Sequence, residues 1–262
     1  KELMMVIKQT LQSGIRYVNT KTFLNSLPNK IAIYFHEIEK KDFDALLNIF
    51  QYFKMHDYEF VNIDEFQQSI NDDNKMIAIT FDDGFKSWID TIPLFKKFNA
   101  KGTFFLNSIF LESGDLKVFK KNINVFDESR FIDKRGIFDL VSSGQLIGSH
   151  THEHHQISRL KMNELIEEIE INLNFLSEFS DNIKHFAIPY GMRRYVNDDQ
   201  LEYLHKEFMS VSFGESGMQF RQSKKSIQRY PWNSRKSFHY NLINICTDTS
   251  IFNKLTLRSG LG

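Results

Sequence analysis

Met76-Ile77-Ala78-Ile79-Thr80-Phe81-Asp82-Asp83-Gly84 is the stretch that decides the fold. A near-continuous apolar run stops at two carboxylates and a glycine. Apolar residues that run on without alternating mark a strand of a parallel sheet covered on both faces. The same pattern recurs at Ile31–Phe35, Thr103–Leu106, Gln145–Gly148, His185–Ile188 and Met209–Phe213. Helical spacing fills the gaps. Asp42–Phe53 carries Phe43, Leu46, Leu47 and Phe50, and Ser87–Phe98 carries Trp88, Ile92, Phe95 and Phe98. Met162–Phe179 is the clearest, with Leu165, Ile169, Leu173 and Leu176 on one stripe, and Asp198–Glu207 is shorter. Strands alternating with helices define an α/β fold. For 262 residues a (β/α) barrel, complete or distorted, is the natural solution. An open doubly wound sheet is the alternative, but no Gly-x-Gly-x-x-Gly follows an early strand. With no repeat and no Pro/Gly-rich linker, residues 1–262 read as one domain.

Lys plus Arg is 33 and Asp plus Glu is 33, so the formal charge is zero. A general nucleic-acid binder carries a basic excess, and none is expected here. The single cysteine, Cys246, rules out an intrachain disulfide and a cysteine-based zinc cluster. No stretch approaches the ~20 apolar residues of a membrane span, and the early run Leu3–Ile7 is too short for a signal-peptide core. The chain begins at Lys1, not Met, so a leader or anchor ahead of it stays open and the compartment is unknown. Residues 233–262 carry no readable chemistry and are expected to form a closing helix plus tail.

Several strands end in chemically able residues: His36, then Asp82-Asp83, Asn107, Ser149-His150 and Pro189-Tyr190-Gly191. The carboxyl ends of parallel strands form one rim, where active sites sit. Adjacent carboxylates repel, so Asp82-Asp83 needs a cation or two unequal environments. It also reads as a strand-end turn with a helix cap. Four of the nine histidines fall in His150-Thr151-His152-Glu153-His154-His155. Imidazole is the commonest metal ligand. His150 with His154 could share one ion across a turn, and His150 with His152 could do so from an extended strand. One aspartate with two histidines suits Zn²⁺ or another divalent first-row ion with open positions. The same donor set serves non-haem iron.

These residues resemble a known family. Thr80-Phe81-Asp82-Asp83-Gly84 is similar to the first motif of the polysaccharide deacetylases, the NodB-homology group or carbohydrate esterase family 4. His150-Thr151-His152-Glu153-His154 resembles the second motif, His-Ser/Thr-x-x-His. Thr103-Phe104-Phe105 resembles the strand between, and Phe186–Gly191 the third motif, over about residues 31–230. The resemblance implies a distorted, NodB-like (β/α) barrel that hydrolyses N-acetyl groups on a saccharide. It implies one divalent ion, Zn²⁺ first, with Co²⁺, Ni²⁺ or Fe²⁺ possible. Asp83, His150 and His154 would be the ligands, with His155 the rival of His154. Asp82 would be the base toward a metal-bound water, and Tyr190 would offer its backbone N–H to the oxyanion.

The chain also departs from that pattern. A Leu-x-His motif near the C-terminus, which supplies the acid in many members, is absent. Tyr34-Phe35-His36-Glu37 resembles the N-terminal segment of members with rearranged motifs, such as poly-N-acetylglucosamine deacetylases. It makes His36 the expected acid. The arginine that opens the third motif is replaced by Ala187, and Arg229 is expected to substitute for it. Trp232 is a candidate to stack on a sugar, against plain packing. Asp133-Lys134-Arg135 reads as a solvated loop. Two other readings stand beside deacetylation: hydrolysis of another small amide C–N bond, and a degenerate member that binds glycan without cleaving it.

Overall fold

The computed structural model describes residues 27–111, 117–125, 127–215 and 222–246. The strands are β1 (Lys30–Phe35), β2 (Glu59–Val61), β3 (Met76–Phe81), β4 (Thr103–Leu106), β5 (Leu146–Ser149), β6 (His185–Ala187), β7 (Ser210–Phe213), β8 (Ser226–Gln228) and β9 (Tyr230–Pro231). The helices are α1 (Lys40–Met55), α2 (Ile63–Gln68), α3 (Ile92–Lys97), α4 (Lys117–Ile123), α5 (Lys134–Ser142), α6 (Met162–Leu176), α7 (Asp198–Glu207) and α8 (Phe238–Cys246). Every strand pair is parallel, in the order β8-β7-β6-β5-β4-β3-β1-β9, with β2 added on β3.

The two ends of that order are one stretch of chain. β8 pairs with β7 through Val211↔Ser226 and Phe213↔Gln228. One residue later β9 pairs with β1 through Ile33↔Tyr230 and Tyr34↔Pro231. The segment 226–231 therefore bridges both sheet edges. Its middle residue, Arg229, donates its amide to Phe213 O at 2.9 Å, and Trp232 N donates to Tyr34 O at 3.1 Å. The result is a nearly closed, distorted (β/α) barrel, the NodB-like form, and not an open sheet. Distortion also shows at β3, whose one edge is shared by β2 at Met76–Ala78 and by β4 at Thr80–Phe81.

Strand alternation sorts side chains between the barrel interior and the helix layer. Ala32, Ala78, Phe105, Ala187 and Ile227 form an inner cluster together with α2 residues Ile63 and Phe66. The alanines keep the interior narrow, and α2 plugs its amino end. The alternate residues Ile31, Ile33, Ile77, Ile79, Phe81 and Phe104 pack outward against α1 and α3. Phe186, Val211 and Phe213 pack against α6 and α7.

Two expected elements differ. Ser87–Phe98 divides into a 3-10 turn, Lys86–Thr91, and α3. Pro93 lacks an amide donor and fits only a first helical turn, so the regular helix begins beside it. Asp133 opens α5 where a solvated loop was expected, and its side chain accepts Gly136 N at 2.8 Å. The closing helix is α8. Leu3–Ile7 and the tail after Cys246 lie outside the described residues. Among the described residues no helix is long and apolar enough to cross a membrane.

At the amino end of the barrel, His185 is fully buried between Ser210 Oγ, 2.8 Å from Nδ1, and Asp64 Oδ1, 3.2 Å from Nε2. Burial pushes its imidazole down to about 4, against the pull of Asp64. The unfolded chain binds that proton near pH 6.5 and the folded chain does not. His185 should thus cost nothing above pH ~6.5 and remove on the order of 3 kcal/mol of stability as pH falls toward 4. Thermal melts of His185→Gln should lose that part of the acid destabilisation. An unchanged slope would show that His185 does not titrate on unfolding.

Candidate active site

The site lies on the rim at the strand carboxyl ends. Asp82 N continues the β1–β3 ladder by donating to Phe35 O at 2.9 Å, so Asp82 keeps the inward phase of Ala78 and Thr80. Asp83 would then face the helices, but it adopts φ 82° and Gly84 φ 79°. That left-handed turn, costing about 1–3 kcal/mol at a non-glycine residue, swings the Asp83 carboxylate across the rim. At Gly84 a side chain is doubly excluded, because a Cβ there would lie 2.2 Å from the Phe110 ring.

Asp83 meets the histidine loop after β5. His150 Nε2 lies 3.3 Å and His154 Nε2 3.2 Å from Asp83 Oδ1. All three residues are buried. Neither approach is a hydrogen bond, and Oδ1 has no hydrogen-bond partner among the described residues. His150 Nδ1 is 2.8 Å from Ala187 O. A carbonyl only accepts, so Nδ1 carries the proton and Nε2 presents its lone pair toward Asp83. Asp83, His150 and His154 thus bring three candidate ligand atoms together in a buried pocket and could hold a divalent cation. Burial would raise the Asp83 carboxyl, but His154, His150 and His36 outweigh it and hold it well below the usual range.

His155 and His152 point elsewhere. His155 addresses Glu168 through Nδ1 at 3.3 Å and Glu153 through Nε2 at 3.5 Å. Its two nitrogens face different carboxylates, so it serves as an ion-pair clasp between loop and α6. His152 Nδ1 lies 2.8 Å from Ser108 Oγ.

Asp82 pairs with a buried arginine. Arg229 NH1 and NH2 donate to Asp82 Oδ1 and Oδ2 at 2.7 and 2.8 Å, and NH1 also to Thr80 Oγ1 at 2.9 Å. The guanidinium is sandwiched between the rings of Tyr34 at 4.8 Å and Phe105 at 5.1 Å. Such stacking plus a two-pronged ion pair fixes both partners. Burial pushes the Tyr34 phenol up to about 12, with Arg229 opposing and Asp82 and Asp83 adding. Tyr34 is therefore a neutral wall.

His36 is half exposed, with Nε2 3.9 Å from Asp83 Oδ2. It stands at the open side of the cluster, within reach of a bound molecule. Tyr190 adopts φ 63°, with its ring 4.8 Å from that of His154 and its OH donating to Asn122 O at 3.1 Å. Its amide has no partner among the described residues. Trp232 is a correction. It is 7% exposed and packs on Phe238 at 5.3 Å, in the apolar layer outside β9, so it offers no face for a sugar. Arg229 pairs with Asp82, as expected of a substitute for the missing third-motif arginine, but it lies in the interior and not on the open rim where it could touch a substrate. Sequence reading left Asn107 without a role and passed over Asn172. Both are wholly buried and bonded to the loop that carries His150 and His154. The visible signal was an asparagine on the apolar stripe of α6.

A distorted parallel barrel whose rim joins one buried carboxylate to two buried histidines is the NodB-like architecture. The sequence model of the family described as polysaccharide deacetylase matches residues 69–207, just over half of the chain, and the protein belongs to that family. His36 and Arg229 lie outside the matched segment. No curated protein matches the chain by sequence. Solved structures that resemble it include Streptococcus pyogenes deacetylase PplD in complex with acetate. The two are 16% identical over 83% of this chain and 97% of that one, with a TM-score of 0.65. A de-N-acetylase from Aggregatibacter actinomycetemcomitans is 15% identical over 82% and 99%, with a TM-score of 0.64. The BpsB deacetylase domain from Bordetella bronchiseptica is 13% identical over 77% and 95%, with a TM-score of 0.62.

Proposed function

We propose that this chain, as one domain, is a metal-dependent hydrolase that removes N-acetyl groups from an N-acetylated saccharide. The observation that carries the reading is the unpartnered, buried Asp83 Oδ1 facing the Nε2 atoms of His150 and His154. These three residues would hold the ion, Zn²⁺ by the nitrogen-rich set. When bound, the ion lowers the pKa of a water and polarises the acetamide carbonyl.

The remaining steps belong to the chain's own groups. Asp82, oriented by Arg229, accepts the proton of the attacking water at its carboxylate. The unpartnered Tyr190 amide donates to the oxygen that becomes negative, a contribution of about 3–4 kcal/mol for one well-placed donor. His36, exposed beside Asp83, gives a proton to the departing amine nitrogen. The rings of the partly buried Tyr34 and the buried Phe105 flank the guanidinium and shield the Asp82–Arg229 pair from water.

The test is elemental analysis of the purified protein beside His150→Ala, followed by acetate release from N-acetylated oligosaccharides. About one divalent ion per chain, lost in the variant together with acetate release, is expected. An ion-free wild type after soaking in Zn²⁺ would remove the mechanism. Bound metal without acetate release would leave a glycan-binding member or a different amide.

A further inference from the structure

α6 is an amphipathic helix whose buried stripe contains two polar residues, Glu168 and Asn172, one turn apart. A buried amide costs free energy unless its hydrogens are satisfied. Asn172 is wholly buried, and its Nδ2 donates to Thr151 O at 2.8 Å and Leu106 O at 3.0 Å, with Ser108 Oγ at 3.3 Å. From the opposite side Asn107, also wholly buried, donates Nδ2 to His150 O and, at 3.2 Å, to Thr151 O. One turn along α6, Glu168 Oε2 accepts Glu153 N at 2.9 Å. The loop gripped in this way is strained. Thr151 has φ 68° and His154 φ 56°, conformations that non-glycine residues hold only when their surroundings enforce them. Thr151 Oγ1 then accepts His154 N at 3.0 Å, closing the turn that carries the second imidazole.

We infer that Asn172, together with Asn107, is a positioning residue for metal capture: the two amides hold the Thr151 carbonyl and so set the left-handed turn that aims His150 and His154 at Asp83. The inference rests on the metal reading above. Neither asparagine touches the ion or the substrate. Each acts through the loop backbone, as partners behind metal ligands do.

The experiment is Zn²⁺ titration of chelator-stripped protein against a chromophoric competitor, for wild type, Asn172→Leu and Asn107→Ser. Asn172→Leu keeps a side chain of similar size and removes the donor. Asn107→Ser leaves the Asn172 bond to Thr151 in place and covers the case in which the first variant does not fold. The Zn²⁺ Kd should rise about 10–100-fold in Asn172→Leu and in the same direction in Asn107→Ser. At saturating Zn²⁺, KM for the saccharide should stay as in wild type. A purely structural asparagine would lower the melting temperature of the metal-free protein and leave the Kd of the folded fraction unchanged. Folded variants that bind Zn²⁺ within twofold of wild type overturn the inference. A wild type that binds no Zn²⁺ overturns the metal reading instead.

Discussion

Asp82→Asn should lower kcat by about 10²–10⁴-fold, the range a general base supplies, while metal content stays at the wild-type level. Asparagine keeps the shape of the side chain but loses both the ability to take a proton and the charge that faces Arg229, so a lower melting temperature is expected beside the lower rate. It also keeps Arg229 bonded through its remaining oxygen. The proposed metal ligands are untouched, because Asp83, and not Asp82, faces His150 and His154. Elemental analysis and acetate release on the same preparation separate the two carboxylates. Loss of metal along with activity would mean that the roles of Asp82 and Asp83 are exchanged. The same assay reads the other end of the proton path. His36→Ala should depress kcat with metal retained, since its imidazole stands half exposed and 3.9 Å from Asp83. A normal rate there would place the acid elsewhere.

Arg229→Met should damage stability and turnover together. The guanidinium is wholly buried and satisfies both oxygens of Asp82, the Thr80 hydroxyl and, at 3.4 Å, the Phe213 carbonyl. Methionine fills part of the space between Tyr34 and Phe105 but leaves a buried carboxylate without a counter-charge. Breaking one side of such a pair costs about 3–5 kcal/mol, on the order of 10 °C in Tm for a chain of this size. Arg229→Lys should recover part of the stability and less of the rate. It restores charge but not the two-pronged geometry that orients Asp82. Thermal melts and kcat measured side by side decide the matter. A melting temperature within about 2 °C of wild type would show that the pair contributes little to holding the barrel closed.

The barrel was legible wherever a strand was long and apolar. Met76–Phe81 and Thr103–Leu106 have the bounds read from their sequence, and Asp198–Glu207 does as well, with Asn197 as its cap. β2, β8 and β9 escaped because they are two or three residues long, too short for a period to show. Their pairing comes from tertiary closure. The convergence of Asp83 with the histidine loop was readable from the strand-end rule. The choice of His154 over His155 was not, since it depends on a left-handed backbone that spacing does not reveal. Arg229 could be suspected from the vacancy at Ala187, but nothing local to Gln228-Arg229-Tyr230 says that it turns inward. Its phase was fixed by β8 and β9, which were themselves unseen. Trp232 misled because an aromatic next to a site residue has the same letter whether it faces solvent or core.

The segment 226–231 also dictates when the site can exist during synthesis. Arg229 lies 147 positions after Asp82, and β9 follows every other strand among the described residues. Until it emerges, the nascent barrel is an open curl with two bare edges and an uncompensated charge at its centre. Contacts this distant in sequence form late, because the loop they close must be ordered first. A transcript that stops short of Arg229 would therefore yield a chain with the whole family match and no counter-charge for Asp82. Emergence of Arg229 is the event that gives Asp82 its counter-charge.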